Sequence, residues 1–340
     1  VKLQDKLRFR DDFPPVSTDE WEEKIRQDLK GADYNKKLIW QPLEGFAIRP
    51  YYRAEDLKKI KCLDILPAEY PWVRGKSERH NSWFVRQDVD ARSSYREANK
   101  KALNLLNRGV DSIGFLIDEK NKPNQDQFEE LLYNISIQVI ELNIISDHAS
   151  RHMLDLLCKK IELESIDKDK VRGSINYNPL GCLNRYGNFC DTEDQRVSEM
   201  KGLVEKAADI PAFSVLEVDA AWIHNAGATN VQELAFALAM GNEYMAHLTD
   251  QGLMAEDVAN NMHFKFGVGP AYFLEIAKFR AARMLWAKVV ETYGFSDTHA
   301  TQMKIHAETS RWNQTIYDPY VNMLRGTTEA MSASLGGADT

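Results

Sequence analysis

The stretch FSVLEVDAAWIHNAGATNVQELAFALAMGN, residues 213–242, decides the fold. Its opening residues are apolar at most positions, as in a strand covered on both faces. Gly227 and Thr229 break that run and open a helix. Val231, Leu234, Ala235, Leu238 and Ala239 then share one helical face. A buried strand followed by a one-faced helix is half of a parallel β–α–β unit.

The same phrase recurs from Trp83 onward. Apolar runs at 83–89, 111–118, 138–146, 173–180, 213–221, 262–269 and 303–310 alternate with helical patterns near 93–107, 125–133, 149–161, 193–207, 229–248, 270–293 and 318–334. Repeat distances of about 30–45 residues suit helical crossovers between parallel strands. Seven to eight such units favour an α/β fold of the (β/α)8 TIM-barrel type over an open doubly wound sheet. An eighth strand would begin just after LGGADT (335–340), so the barrel is expected to want its last strand. Residues 1–80 read differently. STDEWEEKIRQDLKG (17–31) is a helix with Ser17 and Glu20 in capping-box spacing and Gly31 as its stop. Pro42, Gly45 and Pro50 keep the following Trp- and Tyr-rich segment extended. The division is thus an N-terminal helix and arm at 1–80, a candidate subunit contact, and a barrel domain at 81–340.

Composition narrows the function. The chain has 340 residues, 44% hydrophobic and 28% charged, with a formal net charge of -8. The acidic balance argues against nucleic acid as a partner, and no apolar run reaches the length of a membrane span. Four cysteines (Cys62, Cys158, Cys182, Cys190) in no CxxC spacing read as reduced thiols of a cytoplasmic protein.

In a barrel of this kind chemistry sits at the carboxyl ends of the strands. That singles out Arg86, Gln87 and Asp88, Asn176 to Asn178, Asp219 to Asn225, and the alternating Lys304, His306 and Glu308. Two readings stand side by side. His306 and Glu308, or His224, could work as acid and base. Alternatively Arg86 and Lys304 neutralise Glu217, Asp219 and Glu308 in a polar plug. GVGP (267–270) is too short for a dinucleotide loop. DTHATQ (297–302) has Gln302 where a cobalamin-ligand motif needs Gly. His148 and His152 could share a metal, but two histidines without a third ligand more often mark a solvated helix face. No metal site is expected.

Longer motifs carry a resemblance. HAETSRWNQTIYDPYVNMLRGTTEAMSASLGGADT (306–340), NAGATNVQELAFALAMGNEYM (225–245), FGVGPAYFLEIAKFRAARMLWA (266–287) and WEEKIRQDLKGADYNKKLIW (21–40) resemble the methylmalonyl-CoA mutase family. The resemblance implies a barrel whose axis admits the pantetheine arm of coenzyme A, with adenosylcobalamin on a separate carboxy-terminal domain. That domain is not within these residues, so no cofactor is expected on this chain and adenosylcobalamin belongs to the complex. Catalytic members read Tyr-His-Met-Gln-Glu-Ala-Gly-Ala after strand five. Ala221 and Trp222 stand at the Tyr and His, and His224 falls two residues late. Asp88 replaces the Tyr of Trp-x-Ile-Arg-Gln-Tyr, leaving Arg86 and Gln87 as substrate-binding candidates. The alignment gives Tyr186 at a carboxylate-pairing Arg, with Arg185 one residue off, and Glu308 replaces a Gln. Asp88, Trp222, His224, Lys304, His306 and Glu308 therefore read as degenerate active-site positions.

The resemblance then implies a non-catalytic small subunit that stabilises the catalytic large subunit in a heterodimer. The complex would interconvert methylmalonyl-CoA and succinyl-CoA in propionate metabolism. Its alternatives are a competent acyl-CoA mutase chain and a barrel enzyme of other acid–base chemistry. Side chains are expected to fill the barrel axis, and the isolated chain could form a homodimer.

Overall fold

Seven parallel strands carry the architecture of the computed structural model, which describes residues 13–78, 82–188, 192–295 and 299–340. They are β1 (Arg86–Asp90), β2 (Ser112–Leu116), β3 (Glu141–Ile145), β4 (Arg172–Tyr177), β5 (Ala212–Asp219), β6 (Met262–Val268) and β7 (Ile305–Thr309). Each pairs with the next in chain order. The seven curl into a barrel-like sheet, and the described residues hold no eighth strand. In its place, Asp339 and Thr340 enter the gap between β7 and β1. Their backbone N–H groups donate to the Ile305 carbonyl, the Thr340 carbonyl accepts from Ala307, and the Asp339 carbonyl accepts from Phe84. The eighth strand position thus begins two residues before the expected place. Above those residues a slot of about 540 Å³ separates β7 from β1.

The chain falls into two compact units. The first ends at Leu63 and holds α1 (Thr18–Asp28), α2 (Tyr34–Leu38) and α3 (Ala54–Leu57). Ser17 and Glu20 form the expected capping box, and Gly31 follows the helix at φ +90°. One antiparallel bridge, Trp40 to Ile48, pins the extended arm, and Trp40, Leu43 and Phe46 remain exposed.

The second unit, Asp64–Thr340, is the barrel. Its segment before the first strand is anchored where Trp72 Nε1 donates to Thr301 Oγ1 at 2.8 Å. The helices are α4 (Tyr95–Leu106), α5 (Gln125–Leu131), α6 (Ser150–Leu163), α7 (Pro179–Tyr186), α8 (Glu193–Ala207), α9 (Ala221–Asn225), α10 (Asn230–Asp250), α11 (Ala255–Asn260), α12 (Tyr272–Glu291) and α13 (Pro319–Gly336). Five of the seven long patterns open on a side-chain cap: Ser94, Asn124, Thr192, Thr229 and Asp318 each accept from a backbone N–H one turn on, and α13 also starts at Pro319.

Strand alternation splits the side chains into two populations. Val89, Ile113, Phe115, Leu142, Ile144, Phe264 and Phe266 face the helices and form the apolar core with residues such as Met153, Tyr244, Phe279 and Trp286. The barrel interior is polar. Ser112 donates to Glu141, Asn143 to Ser112, and Ser174 to Asn143, at 2.6, 3.0 and 2.6 Å. A bulge in β5 sets the site: Val215 and Leu216 N–H both donate to the Asn261 carbonyl. The extra residue flips the strand's phase and turns Glu217 and Asp219 inward.

Candidate functional site

Three strands and one helix deliver the charges at the carboxyl mouth. Glu217 and Asp219 come from β5, Lys265 from β6 and Glu308 from β7, with Arg185 from α7 above them. They line an upper chamber of about 580 Å³, together with Arg86, Trp222 and Arg311. Lys265 Nζ lies 2.7 Å from Glu308 and 4.0 Å from Asp219. Arg311 adds a 2.8 Å contact to Glu308, and Arg185 one of 3.6 Å to Asp219. A polar plug is present, but Lys265 is its central cation. Lys304 was expected in that role and sits at the opposite, amino-terminal end, donating to Ser214 Oγ and the Asn260 carbonyl. It precedes β7 and so lies two levels below Glu308. Sequence reading missed Lys265, although its register opposite Asp219 and His306 follows from the parity of HFKFG.

Burial and neighbours set the ionisation of this group. Burial pushes the Asp219 carboxyl up to about 6; Lys265 and Arg185 oppose the rise, and Glu217 and Glu308 add to it. For Glu217, burial is outweighed by the His263 hydrogen bond and by Lys265 and Arg86, so its pKa is lowered. Glu308 is also lowered, because Lys265 and Arg311 overcome its burial. Lys265 is raised by the same carboxylates against its own desolvation.

Deeper in the axis, Arg86 Nη1 donates to His306 Nδ1 at 2.9 Å and Arg86 Nε to Asp88 at 2.8 Å. An arginine can only donate, so His306 accepts through Nδ1 and is a neutral imidazole. Burial, then Arg86 and Lys265, hold its pKa well below the ordinary 6.5. His306 therefore has no proton on the nitrogen that meets a neighbour. Asp88 is turned inward over Gly114, where even a Cβ would come within 2.0 Å of its carboxylate. Gln87, one residue on from Arg86, faces the other way and lines the lateral slot.

His224 is not in the upper chamber. It sits on α9, 7% exposed, with Nδ1 3.2 Å from Glu233. Glu233 also takes the Gly267 N–H at 2.7 Å and the Lys278 ammonium at 2.7 Å. Lys278 in turn bonds Glu275 at 2.6 Å and the Gly267 carbonyl at 2.6 Å. This closed network ties the end of β6 to α10 and α12. The glycines of GVGP seat the imidazole: a Cβ on Gly267 would lie 2.5 Å from the His224 ring. Trp222 takes the inward position instead. Its ring lies 5.7 Å from the Arg185 guanidinium, and its indole N–H is buried without a hydrogen-bond partner. Arg185, one residue off the expected register, is thus the residue that reaches the mouth.

The other candidates resolve simply. His152 Nε2 donates to the Pro123 carbonyl at 2.7 Å, and His148 lies 3.7 Å from Glu119, so the pair shares nothing. Among the described residues no cluster of His, Cys, Asp and Glu could hold a metal. Asp297 and Cys190 lie outside the described residues, and Cys62 and Cys158 are free thiols. Among the described residues no helix is long and apolar enough to cross a membrane.

Comparison with known proteins places these features. A family profile described as methylmalonyl-CoA mutase matches residues 123–340. A protein of Porphyromonas gingivalis named methylmalonyl-CoA mutase small subunit is 41% identical over 339 residues, covering 99% of this chain and 54% of that protein. One of the same name from Streptomyces virginiae is 31% identical, covering 100% and 55%. A methylmalonyl-CoA mutase of Escherichia coli is 28% identical, covering 94% and 48%. The chain spans about half the length of the curated relatives it matches.

Proposed function

The chain belongs to the methylmalonyl-CoA mutase family, and from that premise we propose that it is the barrel region of a non-catalytic small subunit. Its role is to bind and stabilise a catalytic large subunit as a cytoplasmic heterodimer. The complex interconverts methylmalonyl-CoA and succinyl-CoA, in propionate metabolism, with adenosylcobalamin. The relatives named small subunit support the pairing. One observation carries the loss of chemistry: Trp222 occupies the inward position after β5, while among the described residues no histidine lines the upper chamber. His224 is held in a buried ion network and His306 is held by Arg86.

A cobalt ligand would need a free imidazole at the mouth, and among the described residues none faces it. His299, the nearest remnant of a ligand motif, precedes β7 and so stands at the opposite end of the strand. These residues do not fit the group, so the cobalamin of the complex rests elsewhere. Arm residues Trp40, Leu43 and Phe46 are candidate anchors for the large subunit, being apolar and exposed.

Co-expression with the large subunit tests this reading. Mutase activity should survive Trp222→Ala combined with Glu308→Ala while the heterodimer stays intact. Loss of activity with assembly unchanged would refute it.

A further inference from the structure

A second chamber, of about 380 Å³, opens at the amino-terminal end of the strands, below Arg86 and His306. Its wall holds four permanent or potential cations, Lys76, Arg86, Arg172 and Lys304, and two carboxylates, Glu141 and Asp339. The carboxylates are taken. Asp339 pairs with Lys76 at 3.0 Å and with Arg283 at 3.1 Å. Glu141 accepts from Ser112, Asn143 and the Thr340 hydroxyl. Arg86 is bound to Asp88 and His306. Among the described residues, this leaves Lys304 and Arg172 without a carboxylate.

Lys304 spends two of its three N–H groups on neutral acceptors, Ser214 Oγ and the Asn260 carbonyl. Arg172 has its guanidinium 5.5 Å from the Phe84 ring. His263 also lines the chamber, and its buried Nδ1 has no partner. Two cations without an ion-pair partner around a chamber of this size form an incomplete electrostatic set. Burial, reinforced by Lys76 and only partly opposed by Asp339 and Glu141, pushes the Lys304 amine down to about 8.

The geometry points to this lower chamber as a binding site for a small free anion, a carboxylate or phosphate, gripped by Lys304 and Arg172. The inference goes beyond the subunit assignment and does not depend on it. Occupancy fills the wall's charge deficit and raises the Lys304 pKa toward its ordinary 10.5. The anion is compact, because Arg86 and His306 stand between this chamber and the upper one.

The test titrates the full chain with inorganic phosphate, and separately with acetate and with coenzyme A, at ionic strength matched with chloride. Calorimetry should show saturable uptake of one anion per chain. Affinity should fall at least tenfold in Lys304→Met and in Arg172→Met, and persist in Lys304→Arg. On the unsubstituted chain, competitive labelling of Lys304 by acetic anhydride should give an apparent pKa that rises on adding phosphate. That second readout stands even if a variant fails to fold. The proposal is overturned by no saturation above chloride, by saturation indifferent to both Met variants, by a Lys304 pKa that does not move, or by uptake of coenzyme A alone.

Discussion

Replacing Asp219 by Asn should stabilise the protein at neutral pH and above, and not near pH 4. Asp219 carries its proton up to about 6 in the fold, against an ordinary 3.8. A raised acid means that the folded chain holds more protons than the unfolded chain between those values. Stability therefore falls as pH rises from about 4 to 6, and stays lower above. At about 1.4 kcal/mol per pKa unit, the ionised carboxylate costs about 3 kcal/mol at pH 7. Asn keeps a side-chain oxygen to accept the Ala221 N–H, which Asp219 now accepts at 3.0 Å. Asp219→Asn should thus match the parent near pH 4 and exceed it by up to about 3 kcal/mol at pH 7. Urea unfolding of both proteins at half-unit steps from pH 4 to 8 reads the difference directly. The reasoning fails if the gap is the same at every pH, or if the parent gains on the variant as pH rises. Either result would mean that Arg185 and Lys265 outweigh burial at this carboxylate.

Further expectations follow from the packing. Gly267→Ala should destabilise by about 1–3 kcal/mol, because its methyl group meets the His224 ring; pairing it with His224→Ala should recover part of that loss in a thermal-unfolding cycle. Asp339→Ala removes the acceptor of the Ile305 N–H and a partner of Arg283, a buried cation. It should cost about 3 kcal/mol or more in chemical denaturation, since a buried arginine is left short of its counter-ion.

How much of this was legible differs between backbone and site. The alternation of apolar runs and one-faced helices located every strand and long helix, because the helix-facing side of each strand and the strand-facing side of each helix stay apolar. Short elements escaped: α7, α9 and α11 are too brief to show a period. The charged interior was readable from the parity of KIHAE and LEVD, although nothing in the local pattern announced the bulge at Val215 and Leu216 that gives LEVD its inward phase. Lys304 was assigned to the wrong end because face and height along a strand are separate coordinates, and parity fixes only the face. His224 leaves the mouth for a related reason. The short helix α9 begins at Ala221, so spacing of two no longer means the same side. Its true partners, Glu233 and Lys278, come from later segments and are invisible to any local pattern.

The gap between β7 and β1 gives the barrel the mechanics of a split ring. At its lower end the split is stitched by Asp339 and Thr340. Higher up, the Arg86 to His306 hydrogen bond crosses it from one strand to the other. Among the described residues, this hydrogen bond is thus the one side-chain tie that spans the split above its base. Breaking that tie lets the rim spring apart while the base stays shut, so the gap-facing amides of Asp88 and Thr309 should be the first of the sheet to exchange with solvent.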